Sequence, residues 1–354
     1  MTPLYLHGRS LISALGADLQ QAVTALAAGG VTPQRIQLPG GTEWPFFSIA
    51  YPETQWRVRA EALLRSAIAQ AGVADRCELP LFIASSSLQI GATETEEQAP
   101  AGDYYNFAEE VAAWLGWHGP VYLISTACTS AMHALLAAAA HIRSGAADEA
   151  VVLGVELSNR YTLAGFAAMQ LLSPTSPRPL GTTRDGLVLG EAVAALHLSR
   201  HPSRWCLRGG SNLLDGSDPT GASPATVSRL CHQALQNSGL AMSDIDLIKA
   251  QAAGSPVNDL NEIRGLTALF GTLPPLTTLK AAIGHTLGAS GAAEIALLLE
   301  CLEKGVWPRS TYPLDPEAGT VLTSKMPTKA RHILAIILGF GGGYSAVALE
   351  DCNG

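Results

Sequence analysis

Short apolar runs alternate with alanine-rich stretches of helical spacing along most of the chain. The runs Leu79–Ser85, Val121–Ser125, Ala150–Val155, Ala192–Leu198, Leu247–Ala250, His332–Leu338 and Ala346–Leu349 are mostly continuous rather than alternating. That pattern predicts strands covered on both faces. Helical spacing predicts helices over Val58–Ala71, Tyr105–Leu115, Thr129–Ser144, Pro224–Ser238 and Gly291–Lys304. Gly145, Gly239 and Gly305 directly follow three of them and supply left-handed stops. The alternation predicts an α/β architecture with sheets sandwiched between helices. Proline, glycine, serine and threonine concentrate at Ser173–Thr183, read as a loop near a site, and again at Gly209–Ser223, after the strand Ala192–Leu198. A chain of 354 residues exceeds what one core usually fills. We place the boundary between two halves near His201, giving 1–200 and 201–354, each with its own strand–loop–helix unit.

Composition narrows the function. Lysine and arginine number 22 against 30 aspartates and glutamates, a net charge of −8, which excludes a basic nucleic-acid binder. Hydrophobic residues at 47% and charged residues at 15% exclude disorder and imply surface hidden in an oligomer. The six cysteines are scattered without CxxC spacing, against a disulfide scaffold or a zinc site, so no metal is expected. The N-terminus lacks the pattern of a secretory signal. The stretch from Pro120 to Ile142 has no Asp, Glu, Lys or Arg, yet its polar residues and changing periodicity fit a buried strand running into a buried helix. A cytoplasmic protein with no membrane span is the expectation.

Three stretches carry candidate chemistry. In Leu123-Ile-Ser-Thr-Ala-Cys-Thr-Ser-Ala131 an apolar strand ends in small residues, with Cys128 at the turn before an alanine-rich helix. A helix N-terminus favours the thiolate, so Cys128 is expected to be the only rapidly alkylated cysteine. A buried structural cysteine at a strand end fits the same residues. In Leu279-Lys-Ala-Ala-Ile-Gly-His-Thr-Leu-Gly-Ala-Ser-Gly-Ala-Ala-Glu294, His285 sits among glycines, five residues after Lys280. An adjacent helix terminus would hold it neutral, as a donor to a carbonyl gaining negative charge; a satisfied loop histidine is the plain alternative. Ile337-Leu-Gly-Phe-Gly-Gly-Gly-Tyr344 lacks the Lys-Ser/Thr of a P-loop and predicts a tight hairpin presenting backbone N–H groups and Phe340.

Together these blocks resemble the β-ketoacyl-acyl carrier protein synthase family, and Arg184-Asp-Gly-Leu-Val-Leu-Gly-Glu191 is similar to a fourth family block. The resemblance spans roughly Leu11 to Leu349. It implies a thiolase-like layered αβαβα fold built from two similar halves. It also implies Cys128 as acyl-accepting nucleophile, His285 and Lys280 as site residues, and Phe340 as gate and, with Cys128, oxyanion-hole donor. Glu294 is implied to pair with Lys280. Substrates would arrive on the phosphopantetheine of an acyl carrier protein, with no tightly bound cofactor.

One departure alters the reading. Where elongating members carry a second histidine, this chain has Gln251-Ala-Ala-Gly-Ser-Pro256, followed by Asn258 and Asp259 as support. Glutamine can donate a hydrogen bond to a thioester carbonyl but cannot carry a proton. The first reading is therefore a chain-length-factor-like partner of a fully equipped synthase in a type II fatty acid or polyketide system, with aryl polyene synthesis as one setting. The alternative is an active condensing enzyme acting as a homodimer. A thiolase would want a second cysteine in a C-terminal glycine-rich motif, and Gly339–Tyr344 holds none. Either way a dimer is expected, formed through Val121–Ser125, with Tyr104–Trp117 and Leu163–Leu172 lining an acyl tunnel or interface.

Overall fold

The computed structural model describes residues 2–53, 55–96, 105–317 and 324–353. The chain opens with β1 (Leu4–Ser13), α1 (Leu19–Ala27), β2 (Gln34–Gln37), β3 (Glu43–Phe47) and α2 (Trp56–Gln70). It continues through β4 (Leu81–Ala84), α3 (Ile90–Glu96), α4 (Tyr105–Leu115), β5 (Val121–Ile124) and α5 (Ser130–Arg143). Next come β6 (Glu149–Glu156), α6 (Arg160–Ala168), β7 (Leu189–Gly190), β8 (Ala192–Ser199) and β9 (Trp205–Leu214). The remainder comprises α7 (Pro224–Ser238), β10 (Leu247–Lys249), α8 (Asn258–Phe270), β11 (Leu276–Thr277) and α9 (Lys280–Ile283). Last are α10 (Ser290–Lys304), β12 (His332–Leu338) and β13 (Gly343–Asp351).

Ten strands form a continuous ribbon in the order β11-β10-β12-β13-β9-β1-β8-β6-β4-β5. Reading outward from its middle, β1-β8-β6-β4-β5 and β9-β13-β12-β10-β11 repeat one pattern. In both, two antiparallel pairings are followed by two parallel ones. Among the described residues, the two five-stranded sheets pair where Leu4–Leu6 meet Trp205–Leu207 across β1 and β9.

Alternate residues of each strand enter different cores, as period-two geometry requires. Val151, Leu153 and Val193 face one outer layer with α2 and α4, whereas Val152, Ala194 and Leu196 face the central core. In the second sheet Ile248, Leu334 and Ile336 face α7 and α8, and Leu247, Ile333 and Ala335 face the centre. The central layer holds α5 and α10, and every residue of α10 from Ser290 to Leu299 is buried. A helix apolar on all sides belongs inside, between two sheets. The layers are therefore αβαβα.

Most expected elements form within two residues of their expected ends, and Gly145, Gly239 and Gly305 adopt φ of +84°, +68° and +68°. The glycine- and serine-rich stretch noted above begins in a strand: Gly209–Leu214 belong to β9 and pair with Gly343–Ala348 of β13. Its glycines admit neighbours rather than a turn: a Cβ on Gly210 would lie 2.6 Å from the Ala346 carbonyl oxygen. Among the described residues, no helix is long and apolar enough to cross a membrane.

Candidate active site

The cysteine turn is set by its own neighbours. Ala127 adopts φ +53°, a costly conformation for a residue with a Cβ. Ser130 holds it there: its Oγ donates to the Ala127 carbonyl at 2.6 Å and accepts from the Thr126 N–H at 2.9 Å. Thr129 Oγ1 adds a bond to the Thr126 carbonyl at 2.7 Å. Cys128 is thereby fixed just before α5, only 4% exposed. Across from it the β12–β13 hairpin turns through Phe340–Gly342. The N–H groups of Phe340 and of Cys128 itself are both directed at the sulfur. A carbonyl carbon bonded to that sulfur would place its oxygen near two such donors, the requirement for stabilising an oxyanion.

The charge state of Cys128 corrects the sequence expectation. Burial pushes the thiol up to about 11, although the Phe340 N–H and the positive charge of Lys280 pull the other way. Desolvation outweighs the helix terminus. Cys352, by contrast, is exposed. In the unliganded protein Cys352, not Cys128, should react first with iodoacetamide. Labelling of Cys128 should accelerate close to tenfold for each pH unit between about 7 and 10, read by peptide mass mapping. Fast, pH-independent labelling of Cys128 would contradict this account.

His285 is held by the block that begins at Arg184. Its N–H donates to the Val188 carbonyl at 2.7 Å, and the Gly190 N–H returns to the His285 carbonyl at 3.1 Å. Gly284 must be glycine here: φ is +72°, and a Cβ would sit 2.7 Å from the Phe47 ring. The imidazole is neutral, as expected, but the causes differ from the helix terminus invoked above. Burial, then the charges of Lys280 and Lys249, depress its pKa well below the ordinary histidine range. The Leu287 N–H donates to Nδ1 at 3.0 Å, which leaves the ring proton on Nε2. The Gln251 amide lies 3.3 Å from Nε2. The atom placed there is the amide nitrogen, a second donor facing a donor. Turning the amide to put its oxygen on the ring proton resolves the clash and gives buried Oε1 a partner, and we assign it so.

Gln251 stands on a loop supported from below by two carboxylates. Glu262 accepts from the N–H groups of Gln251 and Ala252 at 2.7 and 2.8 Å. Asp259 accepts from Ala253, Gly254, Ser255 and, on its other oxygen, Leu180 at 2.8 Å. Burial raises Asp259 to about 6 and Glu262 to about 7, against these donors. Behind the histidine, Glu294 accepts from two ammonium groups, Lys280 on one oxygen and Lys249 on the other at 2.5 Å. Lys280 also donates to Ser290 Oγ at 3.1 Å.

Cys128, Gln251, His285, Phe340 and Asp259 line one cavity of about 120 Å³, with Lys280 and Glu294 packed behind it. All the site residues expected from sequence are thus brought together. Gln170 and Leu171, from the expected stretch Leu163–Leu172, also line the cavity, and Phe166 stacks on Phe340 with centroids 5.5 Å apart. The other expected stretch behaves differently. Tyr104 lies outside the described residues, while Phe107, Val111, Leu115 and Trp117 fill the outer core and do not line the cavity. Sequence reading missed Lys249, Glu262 and Glu156. A lysine inside the apolar run Leu247–Ala250 was a usable signal. Glu156 ends β6 and accepts from the Ser86, Ser87 and Gly288 N–H groups, a convergence that no local pattern announces.

The comparisons with known proteins agree with this geometry. The family model for the beta-ketoacyl synthase N-terminal domain matches residues 83–203, and that for the C-terminal domain matches 210–312. The chloroplastic 3-oxoacyl-acyl-carrier-protein synthase II of Arabidopsis thaliana is 32% identical over 264 residues, 66% of this chain and 48% of that protein. Nodulation protein E of Rhizobium meliloti is 28% identical over 259 residues, 67% of this chain and 63% of that protein. The matches span only about half to two thirds of the length of such relatives. Among solved structures, a ketosynthase in complex with its chain length factor from Xenorhabdus doucetiae superposes with TM-score 0.87 at 23% identity, covering 99% of this chain and 98% of that one. A beta-ketoacyl synthase from Burkholderia phymatum superposes with TM-score 0.82 at 22% identity, covering 99% and 100%. With a buried cysteine facing two backbone donors, a neutral histidine beside it and both family domains matched in order, this chain belongs to the beta-ketoacyl synthase family.

Proposed function

We propose that the chain is a subunit of a type II fatty acid or polyketide system, pairing as a chain-length-factor-like partner with a fully equipped synthase. The observation that carries this reading is Gln251 in the cavity beside His285. Decarboxylating a malonyl thioester and attacking with the resulting enolate calls for hydrogen-bond donors on the thioester carbonyl. Here the assigned amide orientation puts an oxygen on the Nε2 proton of His285, and the glutamine, though its NH2 can still donate a hydrogen bond, cannot take up or carry a proton. Kinship with polyketide and fatty acid synthases, and structural likeness to a ketosynthase solved with its chain length factor, support the same setting. An acyl carrier protein is then the natural partner, and a cytoplasmic location follows from that role. The repeated strand order supports two halves, 1–200 and 201–354.

The outer side of β5 supports a dimer. This strand ends the ten-stranded ribbon, with β4 its one partner strand among the described residues, and Tyr122 on it is 39% exposed. An open apolar edge is a hazard unless another chain covers it. Co-expression with a synthase carrying cysteine and both histidines should yield a one-to-one heterodimer by native mass spectrometry. A monomer at micromolar concentration would refute pairing altogether.

The retained oxyanion geometry favours a second reading, a homodimeric condensing enzyme. Cys128 would take the acyl group from a carrier thioester, displacing the phosphopantetheine thiol. The enolate formed when malonyl carrier protein loses carbon dioxide would then attack the acyl carbon and release Cys128. The N–H groups of Cys128 and Phe340 would stabilise each tetrahedral intermediate. A homodimer that ignores the second synthase and elongates acyl chains alone would establish this reading over the first.

A further inference from the structure

Cys206 and Cys352 are 146 positions apart, and strand pairing brings them together far from the cavity. Cys206 lies opposite Glu350 in the β9–β13 ladder, and Cys352 follows two residues later, so both thiols and the Glu350 carboxylate share one face. Their ligand-forming atoms all lie within 4.8 Å of one another. The Cys352 N–H donates to the Arg204 carbonyl at 2.7 Å, which keeps the end of the chain against β9.

Three such groups could hold a soft metal ion, but their surroundings argue otherwise. Glu350 already accepts from Arg331 at 2.9 Å and from Arg208 at 3.2 Å, so its oxygens are engaged and its charge is compensated. Two guanidinium groups gathered on that carboxylate disfavour a divalent cation there. The two thiols also differ in access: Cys206 is buried, whereas Cys352 is exposed just beyond the end of β13. Burial raises the Cys206 thiol, so it does not react first.

We propose that Cys206 and Cys352 form a reversible dithiol–disulfide pair that closes on exposure to a small-molecule disulfide such as oxidised glutathione. The Cys352 thiolate attacks one sulfur of the oxidant, forming a mixed disulfide and expelling one reduced glutathione thiolate. Cys206, giving up its proton, attacks the Cys352 sulfur and expels the second. Two protein thiols are oxidised and one glutathione disulfide is reduced to two thiols, so electrons balance. Because Cys352 lies past the last ladder residue, closing the remaining gap leaves the β9–β13 ladder in place. The bond would tie that end to β9, beside the β1–β9 pairing that joins the two sheets.

The test uses the full chain, reduced and then exposed to oxidised glutathione under native conditions. Intact mass should fall by two hydrogens, and proteolysis should give one cross-linked peptide pair containing Cys206 and Cys352, reversed by dithiothreitol. Cys206→Ser should stop at a single glutathione adduct on Cys352, and Cys352→Ser should leave Cys206 unmodified. Persistence of both free thiols in the folded protein, or a cross-link through another cysteine, would overturn the proposal. So would stoichiometric zinc retained after dialysis against zinc chloride with both thiols protected from alkylation.

Discussion

Exchanging Glu294 for glutamine should lower the stability of this protein at pH 7 by about 3–5 kcal/mol, the cost typical of removing one partner from a buried ion pair. Glu294 is fully buried and is hydrogen-bonded to both Lys249 and Lys280, each 1% exposed. Its loss leaves both lysines without that carboxylate in a place water does not reach. Urea unfolding followed by circular dichroism reads the effect as a shifted midpoint at unchanged slope. Burial lowers the pKa of Lys249, so the folded state binds fewer protons than the unfolded state as this group titrates. Stability of Glu294→Gln should therefore rise as pH increases from 7 towards the ordinary lysine range. Adding Lys249→Met should recover part of the loss by removing one stranded charge. A cost below about 1 kcal/mol, or no rescue by the second substitution, would show that the cluster is not the electrostatic unit described.

Gln251→His should raise malonyl-carrier-protein decarboxylation, by up to about 10²–10³-fold if the residue acts like an oxyanion donor. The histidine would enter a seat whose backbone is already held by Glu262, leaving the loop unchanged. It would also remove the amide oxygen that now meets the Nε2 proton of His285, freeing two ring donors for one carbonyl. Acyl loading of Cys128 should stay the same, because the cysteine turn and the Phe340 N–H are untouched. Single-turnover assays separate the two steps. Unchanged decarboxylation in a folded Gln251→His variant would sink the reading that Gln251 limits this site.

Strands and helices were legible wherever one physical demand dominated. Strands covered on both faces read as unbroken apolar runs, so β12 was expected at its observed bounds, His332–Leu338. Helix stops were legible because only glycine accepts the left-handed turn cheaply. The sequence pattern failed where demands mixed. β1 interrupts its apolar residues with His7 and Arg9, and Arg9 is explained only by Glu300 and Glu303, nearly three hundred residues away. β9 was hidden because its glycines serve close packing against α7 and β13 rather than a turn. At the site, motif spacing located Gln251, His285 and Phe340 around the cavity of Cys128, but not the ionic state. Whether a thiol is activated depends on how much water the whole fold excludes, and that quantity has no local signature. The second lysine and Glu262 were missed for the same reason, since their partners come from other elements.

The central position of α10 has a consequence for how the protein comes into being. Residues 1–200 leave the ribosome first, and their inner sheet face and α5 are apolar surfaces made to be covered by residues 290–304. Until that late segment arrives, this half presents a wide sticky face, and contacts of such long sequence separation make folding slow. A nascent chain of this kind is exposed to aggregation during synthesis. Cys128 is carried by the first half and His285 by the second, so neither half forms the cavity alone. Appearance of the cavity therefore marks the final consolidation step of folding, and protection of Cys128 from alkylation is a reporter of it.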